Sequence, residues 1–197
     1  MNNKFSILII FLITLFIAGC SSVPIPKVTK YSLDTPAADS KEIKTINISV
    51  KRVRGRYQYD KNSIFVSPEP HIVDTYKTAQ WVENPCSMLT DDTIAYLSKQ
   101  FKYVTSSSLN YNDSINYVIS IYIDDLKHIK RDNKWFAVLK LHCEIASPKA
   151  KKVVCNFWFR ENVELPDSSI QTYINVQNES VSKFMQLLSS EISKFSP

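Results

Sequence analysis

The chain has 197 residues and carries 24 Lys and Arg against 19 Asp and Glu, a net charge of +5, with three histidines, four cysteines and only two glycines, Gly19 and Gly55. A dinucleotide fingerprint or a phosphate-cradling loop needs several glycines for tight turns and close backbone approach, so neither can be written here. The length suits one domain with a real core rather than two.

Lys4 precedes an apolar run from Ile7 to Ala18, and Ala18-Gly19 lead directly into Cys20. Basic start, short apolar run and small residues form the order of a secretory signal peptide, and the run is shorter than the roughly 20 apolar residues of a membrane span. Ile17-Ala18-Gly19-Cys20 resembles the lipobox of bacterial lipoproteins, with Ile17 in place of the more usual leucine. The resemblance implies cleavage between Gly19 and Cys20 and a covalent lipid on Cys20, the one attached group expected. Ser21, where an aspartate would imply retention in the inner membrane, implies an outer-membrane, periplasm-facing protein. Residues 1–19 are thus expected as signal peptide, 20–42 as lipidated N-terminus and tether, and 43–197 as a single domain. Pro24, Pro26 and Pro36 lie in that tether. Polyproline-like chain rises about 3.1 Å per residue and can lift a domain off the membrane.

Ile46, Ile48 and Val50 alternate with polar residues, which predicts a strand with one buried face. Next, Arg54 and Arg56 flank Gly55, and Tyr57 and Tyr59 follow. Basic and aromatic side chains at a strand end suit an interface anchor, so these four are the candidate partner contacts. Export argues against a nucleic-acid partner; a solvated strand end remains the plain alternative. Ile64-Phe65-Val66 is a short apolar run closed by prolines.

The succession Arg56-Tyr57, Ile64-Phe65-Val66, Pro70-His71-Ile72-Val73, Tyr76 and Trp81-Val82-Glu83-Asn84-Pro85, followed by a helix, resembles the auxiliary lipoproteins of ABC-type transport systems, those of the Mce-type lipid transporters. The resemblance implies a non-enzymatic outer-membrane lipoprotein that meets an Mce-type periplasmic protein and its ABC permease complex. A lipid-binding shuttle and a regulator of envelope or cell-wall assembly are the alternatives, and a homo-oligomer stays open. Asn84 is a good N-cap and Pro85 suits the first helical position, predicting a helix over 85–100 whose stripe includes Cys86, Leu89, Thr93, Ile94 and Leu97.

Ile115, Tyr117, Ile119, Ile121 and Ile123 then line one face of a strand, while Val118 and Tyr122 join Asn116, Ser120 and Asp124 on the other, a face therefore partly covered or used. A turn at Asp132-Asn133 leads to a second strand over 135–145, and a third carries Val153, Cys155, Phe157 and Phe159 on one side. A symmetric hairpin about Lys149 would set Cys143 opposite Cys155. A disulfide and two buried thiols are both open, the thiols favoured because direct cross-strand bridges are strained. Ser168 and Gln171 have capping-box spacing ahead of an apolar stripe from Tyr173 to Phe195. The expected fold is α+β: an antiparallel-rich twisted sheet of about five strands with two helices packed mainly on one face. His71, His128 and His142 are scattered, no zinc-ligand spacing occurs, and no nucleophile has an evident partner, so neither a catalytic nor a metal site is expected.

Overall fold

A computed structural model describes residues 26–34, 43–106 and 114–195. Gly19, Cys20 and the signal segment lie outside the described residues. The elements are β1 (Thr29–Tyr31), β2 (Lys44–Val50), β3 (Arg54–Gly55), a 3-10 turn (Tyr57–Asp60), β4 (Ser63–Ser67), β5 (Asp74–Trp81), α1 (Pro85–Leu97), β6 (Phe101–Ser106), β7 (Tyr117–Arg131), β8 (Lys134–Ser147), β9 (Lys152–Leu165) and α2 (Ile170–Ser193).

Among the described residues the fold is α+β with two α-helices, but the sheet has nine strands and is mixed, rather than antiparallel-rich with about five. Strand β7 is its axis. Along one edge it pairs antiparallel with β8 from Val118↔Ala146 to Arg131↔Lys134, and β9 continues beyond β8. The other edge is shared by three short strands, β2, β3 and β4, all parallel to β7. Strand β6 lies parallel outside β2, β5 antiparallel outside β4, and β1 parallel outside β5. The two-residue period of a strand reports which face is buried, not which neighbour it takes or in which direction, so these pairings are invisible in the pattern. Strand β1 and the buried Leu33 also draw residues assigned to the tether into the folded unit.

Two bulges rephase the long strands. Between Ile123↔Leu141 and Asp125↔Lys140 the extra residue is Asp124, so the core positions pass from Ile119, Ile121 and Ile123 to Leu126 and His128. Between Ile145↔Cys155 and Ala146↔Val153 the extra residue is Val154, which turns toward the core and leaves Val153 outside. This reverses the expected places of Val153 and Val154. It also corrects the symmetric hairpin, since Cys143 faces Phe157 and Cys155 faces Ile145. Both are free thiols, as is Cys86. The turn at Asp132-Asn133 is as expected, both residues taking positive φ (51° and 59°) in a two-residue hairpin loop.

Asn84 caps α1, its side chain accepting from the Ser87 N–H at 2.9 Å, and the helix closes at Leu97 rather than Gln100. Ser169, one residue later than the capping-box spacing suggests, caps α2 by accepting from the Thr172 N–H at 3.1 Å. Tyr173, Val181, Phe184, Met185, Leu188 and Ile192 of α2 fill the space over the sheet, and α1 closes the same core with Cys86, Leu89 and Leu97.

Candidate docking surface

The sheet has a helix-covered face and an open face, and the segment between β2 and β4 sorts side chains between them. Gly55 faces inward: a Cβ there would sit 3.2 Å from the Tyr59 Cβ and 3.3 Å from Ile123, close enough that a neighbour would have to give by a few tenths of an ångström. Tyr59 is correspondingly buried, which corrects its reading as a partner contact. Its hydroxyl plugs the stretch of the β7 edge left unpaired between β3 and β4. It accepts from the Leu126 N–H at 3.0 Å and donates to Asp125 at 3.3 Å. A buried N–H left unmet costs about 1–3 kcal/mol, so this tyrosine is part of the sheet. Burial pushes its own ionisation up to about 12. Asp125 is held in turn by Lys127 at 3.0 Å and Lys140 at 3.3 Å.

Arg54, Arg56 and Tyr57 do lie on the surface. Arg56 pairs with Asp124 at 2.9 Å, and Tyr57 is 77 % exposed with the Lys61 ammonium 4.7 Å from its ring centre. Arg54 has the more telling position. The register sets it beside Tyr122, Tyr122 beside His142, and His142 beside Trp158, so four strands contribute one row across the open face. Tyr122 and Trp158 are 39 % and 47 % exposed. The Trp158 ring is stacked on His142 (4.6 Å, 18° between planes), and the Arg160 guanidinium lies 4.8 Å from the Trp158 ring centre. His142 Nε2 lies 2.7 Å from the Asn156 Oδ1, which orients the imidazole. Trp158 is thereby held in place while much of its surface meets water. The sequence marks Tyr122 as lying on a face partly covered or used, but it does not point to His142, Trp158 and Arg160 as its companions there. The signal was there in weak form: large aromatics on the polar phase of β7 and β9.

His128, Cys86 and Cys143 are packed into the interior. His128 is fully buried on the core face of β7, stacked on Tyr173 (4.9 Å) and beside Trp135 (4.4 Å), with its Nδ1 2.6 Å from the Tyr76 hydroxyl. Desolvation lowers its pKa to about 4, with Asp167 opposing weakly, so the ring is neutral at physiological pH. Burial raises the Cys143 thiol, and it raises Cys86 to about 11, so neither is a ready thiolate. Among the described residues no group of three or more His, Cys, Asp or Glu side chains could hold a metal. No helix among them is long and apolar enough to cross a membrane.

The family described as ABC-type transport auxiliary lipoprotein component matches residues 31–189. The crystal structure of a DUF330 protein from Xanthomonas campestris superposes with a TM-score of 0.69 at 14% identity, covering 82% of this chain and 92% of that one. A second, titled only as an uncharacterized protein, reaches 0.65 at 10% identity and covers 84% and 99%. At such identities the likeness shows the fold. No curated protein sequence matches at a significant level.

Proposed function

Because the chain belongs to the family of ABC-type transport auxiliary lipoproteins, we propose that it is a non-enzymatic docking subunit of an Mce-type system moving lipids or other hydrophobic molecules across the envelope. In this reading Cys20 carries the lipid that holds it at the outer membrane, the following segment supplies reach, and the open face of the sheet meets the periplasmic protein of the transporter. The observation that carries it is the row Arg54–Tyr122–His142–Trp158. Trp, Tyr and Arg are the side chains that most often dominate binding energy at interfaces. Holding Trp158 between His142 and Arg160 before contact removes part of the ordering cost of binding.

The test is co-purification with the Mce-type protein from membranes. Trp158→Ala and Arg54→Glu should each weaken capture, the former by about 2 kcal/mol, roughly a thirtyfold loss. Undiminished capture by both variants would refute the docking surface. Cys20→Ala should release the protein from the outer membrane, and retention there would refute the anchor.

A further inference from the structure

We propose that a groove beside the β8–β9 turn is a binding site for an anionic phospholipid, headgroup phosphate on lysines and first methylenes on an apolar floor. The groove encloses about 510 Å3, within the roughly 300–1,000 Å3 in which small ligands are held. It does not depend on the transporter-docking reading, for its floor row Val118–Ala146–Val153 shares no residue with the row Arg54–Tyr122–His142–Trp158.

The floor exists because of a bulge. With Val154 turned inward, Val153 comes to the open face beside Ala146, which is itself beside Val118. An apolar row therefore ends in the turn, with Pro148 at its margin, and Val153 stays half exposed. The walls are basic. Lys51 follows β2, where its own N–H donates to the Ile119 carbonyl at 2.9 Å, while Lys151 and Lys152 close the turn and open β9. Lys151 takes positive φ (53°) and its N–H donates to the Pro148 carbonyl at 3.2 Å, so the turn is a defined structure.

No acidic side chain lines the groove, and among the described residues none of these three lysines is in an ion pair. Three lysines and no carboxylate around one groove is the charge arrangement that points to an external anion. Three neighbouring ammonium groups repel one another, and an ammonium is a phosphate-binding point charge. Inorganic phosphate would satisfy the lysines alone and leave Val153 and the half-buried Ala146 in contact with water. An amphiphile uses both halves of the groove.

The test uses the full-length lipoprotein held in phosphatidylcholine nanodiscs, with the methyl groups of Ala146 and Val153 followed by NMR. Dihexanoyl phosphatidylglycerol should shift both signals saturably. Dihexanoyl phosphatidylcholine should not, and inorganic phosphate should bind at least tenfold more weakly. Lys51→Gln combined with Lys152→Gln should weaken the phosphatidylglycerol titration at least tenfold, with core methyl signals unmoved to show an intact fold. Val153→Asp should weaken it likewise. Equal response to the two lipids, equal affinity for inorganic phosphate, or unchanged titration of the lysine variant would each overturn the proposal.

Discussion

The molecule builds the same kind of cluster twice, on opposite faces of one sheet. His128 on β7 packs against Tyr76, Trp135 and Tyr173, and His142 on the neighbouring β8 stacks on Trp158. The first is sealed under α2 and is driven neutral by desolvation. The second stands at the surface with its aromatic partner half in water. Histidine and aromatic rings are thus a core device in one place and an exposed surface cluster in the other. The difference lies in what covers the face, not in residue type.

The largest way to break this comparison is acid. An unfolded His128 takes up a proton near pH 6.5, while the folded one resists until about pH 4. Between those values the unfolded chain binds more protons, so stability falls as the pH falls, by about 3 kcal/mol across the window. Asp92 works the other way. Its carboxyl is raised to about 6, first by desolvation and then by Asp34 and Asp91, so the folded chain gains stability as the pH falls from 6 toward 3.8. Thermal melts of wild type alone therefore carry both slopes at once, with opposite signs. The difference between wild type and His128→Phe should show the 3 kcal/mol slope, on top of a constant offset from the unpartnered Tyr76 hydroxyl. A difference that does not vary with pH would mean that His128 is not kept neutral by the core.

Tyr59→Phe should rank next. It strips the Leu126 N–H of its acceptor and Asp125 of a donor, and a loss of about 1–3 kcal/mol in urea unfolding is expected. Asp92→Asn should instead stabilise the protein at pH 7, by on the order of 1 kcal/mol, because the folded state there holds a partly buried carboxylate that it resists ionising. If the Asn variant melts lower than wild type at pH 7, some partner supports that carboxylate. The smallest effect belongs to the open face. His142→Ala should change unfolding free energy by less than about 0.5 kcal/mol, the mirror of His128, while loosening Trp158 and weakening transporter capture.

Legibility followed the range of the forces involved. The helix starting at Asn84-Pro85 and the hairpin at Asp132-Asn133 were readable because caps and tight turns are local chemistry within a few residues. Tyr57 and Tyr59 show the limit. Two residues apart in a basic stretch, they look alike in the chain, yet one is 77 % exposed and the other buried. Only the 3-10 turn and the gap in the β7 edge separate them. Arg54 was picked out for its charge and its position at a strand end, but its association with Tyr122, His142 and Trp158 needs three registers spanning about a hundred residues.

Family membership, the two helices and the buried phases of the central strands were contained in the order of residues, because each rests on local periodicity, capping or a linear motif. The direction of β2, β3 and β4 along β7, the bulges at Asp124 and Val154, and hence both the aromatic row and the lysine-rimmed groove came from the folded molecule. Backbone hydrogen bonding between strands is nearly indifferent to side-chain identity, so pattern can say which face of a strand is buried but not beside which strand it lies.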